Sequence, residues 1–284
     1  MGDEKYSSEK MAEYYRRIHR AWVDSDPNES LAPVTFPDQP RWVNYFTNFA
    51  HQLGVEKAIA FLRSDLGTLR GRSVLDLGCG RGRWTKKYAS LGCRVTGVDI
   101  SPDAVGLLAR EMPEHSFLCQ DISKLVVPGE SFDIVNSVTV LQHLPEDLQH
   151  EAMKRAASAL KKGGHLVLLE NIVEFDSPIV FPHRPEEWAG MAEASGLQLC
   201  GSWGSNYEVL FRTVTPRVKK LLGRGKPKNG NVVGAGAATK NESSGRRLKP
   251  ALRSFAAMVS FPLEWFASKV SVFEPSHQVM VFRK

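Results

Sequence analysis

The stretch SVLDLGCGRGRW, residues 73–84, decides how this chain is read. Ser73 to Leu77 is a short apolar run with one acid, Asp76, near its end, which reads as a buried strand. Glycines follow at 78, 80 and 82, with Cys79 as a small filler between the first two, and then Arg81, Arg83 and Trp84. A strand, a glycine turn and a helix in that order bind a ligand by backbone. A phosphate-gripping loop needs G-x-x-x-x-G-K-[ST], and no Lys-Ser or Lys-Thr follows Gly82. The dinucleotide fingerprint G-x-G-x-x-G accepts Gly78 and Gly80 but puts its third glycine at Arg83. The pattern present is D-x-G-x-G-x-G. An acid directly ahead of the glycines is wrong for a pyrophosphate and suits a ligand whose near end is cationic.

Working outward, strands and helices alternate. A helix is expected over about 82–91, a second strand over 93–100, and a helix capped by Ser101 with Pro102 in its first turn. Strands follow at 115–122 and 131–140. Residues 145–164 read as an amphipathic helix with Leu148, Ala152, Ala156 and Leu160 on one face and Gly163 at its end. A strand at 165–172, a helix at 185–195 and strands at 197–204 and 276–284 complete the pattern. Such alternation predicts an α/β fold: a doubly wound, mostly parallel seven-stranded sheet with helices on both faces. In these sheets the ligand lies beyond the carboxyl ends of the strands.

From about 71 to 172 the chain resembles the class I S-adenosylmethionine-dependent methyltransferases. VLDLGCGRG is close to their first motif, FDIVNSVTVLQHL to their fourth, and LKKGGHLVLLE to the helix, turn and strand that follow. The resemblance implies S-adenosylmethionine as cofactor, a sulfonium with an ammonium and no phosphate. It implies binding by Asp76, Gly78, Cys79, Gly80 and Gly82. It places Asp99, in GVDIS, on the ribose hydroxyls and Asp121, in CQDI, at the adenine amino group. Ile100 and Ile122 lie beside the ring. Asp133 is set aside, because the family commonly carries an acid there for structural reasons.

Methyl transfer from a sulfonium asks mainly for positioning and exclusion of water. A hydroxyl acceptor gains from a general base. The candidates end strands four and five: His143 as base, with packing or backbone bonding as its other reading, and Glu170 as catalytic residue or acceptor-site wall. His183 and His277 are weaker candidates, and no clustered set of acids points to a metal. NSVT replaces the N/D-P-P-[FYW] that grips a planar base amino group, which argues against nucleobase methylation.

The acceptor is read from the additions. Residues 1–70 are expected to form a helical cap, with apolar spacing at Met11, Tyr14, Tyr15, Ile18 and Trp22 and again at Trp42, Tyr45, Phe46, Phe49 and Leu53. They read as a lid, with Trp42 and Tyr45 nearest the cofactor, or as packing on the sheet. Residues 71–206 form the cofactor-binding core and 276–284 its last strand. Between them, 207–275 hold an insertion. From Pro216 to Pro250 there are ten Lys or Arg and only Glu242 as an acid, so this stretch exceeds the whole chain's net charge of +6. Its centre, 223–248, has almost nothing to bury and is expected to be a disordered loop. Beyond it Leu252, Phe255, Val259, Leu263, Phe266 and Val270 recur at helical steps, with Met258, Phe261 and Trp265 alongside. That segment reads as a lid, an interfacial helix or a core helix. It is too short in its uncharged part to span a bilayer, which takes ~20 residues.

These features predict transfer to oxygen of a small-molecule or lipid- or glycan-linked acceptor. They also raise a peripheral contact with an anionic membrane. The rival is an RNA-modifying or RNA-binding protein using the basic loop, and nucleic acid is disfavoured because that loop has no aromatic between Phe211 and Phe255. A cofactor-binding protein without transferase activity is the third reading. The polar, acidic first ten residues lack the pattern of a secretory signal, and the four scattered cysteines read as reduced thiols. Both place the protein in the cytoplasm, with the inner face of a membrane as the site of any peripheral contact.

Overall fold

The computed structural model describes residues 10, 13–17, 20, 41–174, 177, 179–207, 262–267 and 274–284, and the side chains of 41–45 are not among them. The expectations for Met11, Ile18, Trp22, the side chains of Trp42 and Tyr45, the loop 223–248 and the stripe from Leu252 to Phe261 lie outside the described residues.

Seven strands form one sheet: β1 (Ser73–Leu77), β2 (Arg94–Asp99), β3 (Ser116–Cys119), β4 (Phe132–Val138), β5 (Leu160–Asn171), β6 (Gln198–Ser205) and β7 (His277–Arg283). Their order is β3-β2-β1-β4-β5-β7-β6. β1 to β5 run parallel, and β7 is antiparallel to both β5 and β6. The order reverses between β1 and β4, so the chain leaves those strands in opposite directions and opens a crevice at their carboxyl ends.

The five long helices are α1 (Arg41–Leu66), α2 (Arg83–Ser90), α3 (Pro102–Glu111), α4 (Glu146–Ala159) and α5 (Pro185–Ala194). Side chains alternate along each strand. Leu75, Val135, Leu166 and Leu168 face α4 and α5, burying Ala152, Met153, Ala156, Trp188 and Met191. Val74, Ile134, Val167 and Leu169 face the other way, against Val55, Ala58, Ile59 and Leu62 of α1 and Trp84 and Tyr88 of α2. The cap helix α1 is therefore one layer of the sandwich over its second half. α3 begins as its sequence suggests: the Ser101 hydroxyl accepts from Ala104 N at 3.3 Å and Pro102 stands in the first turn.

Two local expectations are corrected. The amphipathic helix ends at Ala159, not at Gly163, and Leu160 already belongs to β5, paired with Phe132. Lys161 reaches Asp133 at 2.9 Å, and Gly163 N donates to the carbonyl of Lys284 at 2.8 Å. Pairing across the sheet wins over helical propensity there. β3 stops at Cys119 rather than 122, because Asp121 caps a 3-10 turn over Ile122–Lys124. In the segment 262–267 Leu263 packs against Tyr207 and Ala267. Glu264 and Ala267 are buried, while Trp265 and Phe266 are each 52% exposed. The Glu264 carboxylate accepts from Tyr207 N at 2.6 Å, so a backbone donor's need for a partner orients the segment.

Candidate functional site

The glycine turn after β1 is built by left-handed backbone. Gly78 has φ +64° and Gly82 φ +80°. A Cβ at Gly78 would stand 2.5 Å from Val140, and one at Gly82 2.5 Å from Leu108, so the turn is tied to β4's exit and to α3. Three of its amides are spent inside the protein. Cys79 N donates to the carbonyl of Val98, Gly82 N to that of Cys79, and Gly80 N to Asp99 Oδ2 at 2.9 Å. A phosphate would find none of these three donors. The turn is suited to a group that needs acceptors. The Cys79 side chain points away, into a cluster with Leu108 and Met112, and burial pushes its thiol up.

Asp76 lies beneath the turn and is buried. Its carboxylate accepts from Thr85 Oγ1 at 2.6 Å and from Asn136 Nδ2 at 2.8 Å. Burial raises its pKa to about 6 against the pull of those bonds. Tyr88 completes the network through Asn136 Oδ1 at 3.3 Å. Thr85, Tyr88 and Asn136 were not anticipated, because their partner lies nine to sixty residues away. Asp99, at the end of β2, is buried, and its Oδ1 also accepts from Ser101 N at 2.9 Å. Ile100 is partly exposed beside it. Asp121 uses Oδ1 for both the amide and the hydroxyl of Ser123, at 2.9 and 2.7 Å. Ile122 is buried in the core beside Leu77 and Val98. Asp133 lies at the opposite end of the sheet. Against the cost of burial, bonds from Ser73, Lys161 and Arg72 hold its carboxyl well below the usual range.

Beyond β4 the chain turns sharply through Thr139, φ +54°, into a 3-10 turn over Leu141–His143. Glu170, fully buried at the end of β5, faces the start of that turn. Its carboxylate accepts from the amides of Val140, Leu141 and Gln142 at 3.2, 3.0 and 3.3 Å and from Ser137 Oγ at 3.3 Å. Burial pushes its pKa up to about 8, against those bonds. His143 is partly buried. Its Nδ1 pairs with the carbonyl of Ile179 at 2.9 Å, and Nε2 lies 3.3 Å from Gln142 Nε2. Burial lowers its pKa to about 4. Tyr15 from the N-terminal segment packs on this ring at 5.1 Å between centroids, and Tyr14 and Tyr15 cover Ile179 and Val180. Arg16 reaches the carbonyl of Ile100 at 3.5 Å, so the same segment touches the ends of β2 and β4. His183 is occupied by Gln149 at 2.6 Å and by the Trp188 ring.

A third group gathers at the start of β7, beside the carboxyl end of β5. His277 is paired in the sheet with Asn171 and Ser205. Its Nδ1 lies 2.9 Å from Ser276 Oγ and 3.3 Å from Asn206 Nδ2. Its ring meets that of His51, on α1, at 5.0 Å. Arg83, directly after the glycine turn, donates to the carbonyl of Asn48 on α1 and lies over the Trp84 ring at 4.0 Å. His51 and the Arg83 side chain were missed, because nothing local in the sequence brings residues 51, 83 and 277 together. Among the described residues no three His, Cys, Asp or Glu are grouped to hold a metal ion, and no helix is long and apolar enough to cross a membrane.

Residues 74–164 match a methyltransferase domain family. A ubiquinone biosynthesis O-methyltransferase of Coxiella burnetii (strain Dugway 5J108-111) is 30% identical over 168 residues, covering 50% of this chain and 70% of the relative. Magnesium protoporphyrin IX methyltransferase from Synechocystis PCC 6803, solved with bound SAM, is similar over 67% of this chain and 90% of that one, at 24% identity and a TM-score of 0.51. The [4+2]-cyclase SpnF is similar over 98% of this chain and 96% of that chain, at 15% identity and a TM-score of 0.57. At those identities the two structures share the fold alone. The relative's similarity extends over more than two thirds of its own length, and the chain belongs to the class I S-adenosylmethionine-dependent methyltransferases.

Proposed function

We propose that this protein transfers a methyl group from S-adenosylmethionine to an oxygen of a small or lipid-linked acceptor. The observation that carries the reading is the row of acids at the ends of β1, β2 and β3: Asp76, Asp99 and Asp121 beside a turn that has already used the amides of Cys79, Gly80 and Gly82. Such a site rejects phosphate and fits a ligand with a cationic end, a diol and an amino-bearing ring. Asp99 receives the ribose hydroxyls, Asp121 the adenine amino group, and Ile100 and Ile122 the faces of the ring. Asp76, under Gly78, Cys79, Gly80 and Gly82, supplies negative potential to the ammonium end and holds the turn through Thr85. The cofactor brings a methyl group on a sulfonium, an electrophile that needs no activation by the chain. The protein's part is to align the acceptor and exclude water. His143 and Glu170 act as positioning residues: Glu170 anchors the turn after β4, and His143 ties it to 179–180 under the N-terminal segment.

Oxygen is favoured by the name of the Coxiella relative and by NSVT in place of a base-gripping motif. A lipid-linked acceptor is supported by the half-exposed Trp265 and Phe266, which follow a strongly basic stretch. Incubation of the purified protein with methyl-labelled cofactor tests both. Catechols, amines, RNA and a lipid extract serve as acceptors, the lipid extract in anionic vesicles. Label on hydroxyl-bearing acceptors is expected. Label confined to amines or RNA sinks the oxygen reading, and absence of label from the lipid arm removes the lipid-linked acceptor.

A further inference from the structure

His51 is the one buried histidine on the ligand side of the sheet with neither ring nitrogen bonded to any protein group, among the described residues. An unpaired buried polar group is costly, so native proteins seldom keep one without use. His51 is only 3% exposed, and its setting is specific. Among the described residues His277 from β7 lies against its ring at 5.0 Å between centroids, and Arg83 from the first turn of α2 binds the carbonyl of Asn48, one helical turn before it on α1. Three elements distant in sequence thus bring two imidazoles and a guanidinium to one place. That place joins the glycine turn, through Arg83, to the carboxyl end of β5, through the pairing of His277 with Asn171.

We propose that His51, with Arg83 and His277, forms the subsite for an acidic hydroxyl of the acceptor, with His51 as its proton acceptor. This rests on the oxygen-transfer reading and deepens it. The hydroxyl proton passes to a ring nitrogen of His51, which becomes an imidazolium. The electron pair of the broken O–H bond stays on oxygen, and Arg83 faces the resulting oxyanion. The ring is neutral at rest with both nitrogens unpaired: burial first, then His277 and Arg83, hold it well below the ordinary imidazole range. The oxyanion formed beside it then offsets the positive charge of the imidazolium. Arg83 favours the ionised acceptor and disfavours a neutral amine that must end as a cation. The substrate class implied is a phenol, enol or similarly acidic hydroxyl.

4-Nitrocatechol, whose phenolate has its own absorption band, is the probe. It is mixed with the full-length protein and S-adenosylhomocysteine about one pH unit below the probe's own pKa. The wild type is expected to bind it as the phenolate. His51→Gln should lower the ratio of ionised to neutral bound probe about tenfold or more, with S-adenosylhomocysteine affinity unchanged by calorimetry. NMR of the wild-type histidine rings needs no variant: one ring should pass from neutral to imidazolium as the probe binds. A probe that does not bind, a bound probe that ionises as it does in free solution, or a His51→Gln variant with the wild-type spectrum overturns the proposal. The two readings fail separately. If catechols are methylated while His51→Gln is silent, the base assignment falls and oxygen transfer stands. If only amines are methylated, oxygen transfer itself falls.

Discussion

The two halves of the ligand end are built differently. On the cofactor side, Asp99 bonds Gly80 and Ser101, nineteen and two residues away, and Asp121 bonds Ser123. On the proposed acceptor side, Tyr15 meets His143, His51 meets His277, and Asn48 meets Arg83. The first half is held mostly by bonds among the turns after β1, β2 and β3, with Asn136 on Asp76 as its one long-range tie among those named. The second is assembled from segments that meet only when the sheet and its covering helices are complete.

The sharpest way to break this contrast is at Asp99. Each of its carboxylate oxygens serves a backbone amide, so Asp99→Ala removes both the proposed ribose contact and a tie on the glycine turn. Hydrogen bonds to charged groups are worth about 1.5–3 kcal/mol each, and SAM affinity should fall at least about 100-fold by calorimetry. Unchanged affinity would mean that the acids at the strand ends are not the cofactor side.

A smaller effect is expected in the backbone of the same turn. Gly82→Ala forces an L-residue to φ +80° and drives its Cβ toward Leu108. It should destabilise the fold by about 1–3 kcal/mol, seen as a fall of several degrees in thermal unfolding. Gly106→Ala on α3, where a Cβ meets nothing nearer than Arg110 at 3.6 Å, should instead stabilise by about 0.5–1 kcal/mol. Equal outcomes at the two sites would show that the left-handed turn is not strained.

The third test falls on the seam between the halves. Folding raises the pKa of Glu170 from the ordinary carboxylate value to about 8, mainly through burial. The folded state therefore holds a proton that the unfolded state gives up, and stability contributed in acid is lost as pH rises through that window. Glu170→Gln keeps the shape without the charge. Its loss of stability between about pH 5 and about pH 8, by denaturant titration, should be smaller than the wild type's. An identical slope would mean that Glu170 is ionised in the fold and that its three amide bonds outweigh burial.

The residues by themselves determine the sheet, its seven strands and the glycine turn with the acids at its strand ends. Period-two runs, Ser101 before Pro102, and glycines at 78, 80 and 82 are local signals of local geometry. Where a local signal met a competing demand, the sequence reading failed. The run from Leu160 to Gly164 continues a helical pattern, yet pairing with Phe132 makes it strand. The third strand reads as running to Ile122, yet Asp121 caps a 3-10 turn there and the strand ends at Cys119. Only the tertiary structure decided that Thr85 and Asn136 hold Asp76, that Glu170 anchors the turn after β4, that His51 meets His277 and that Arg83 reaches Asn48. The physical reason is range: helix, turn and strand preferences act over a few residues. Burial and hydrogen-bond satisfaction act between whichever groups the completed sheet brings together.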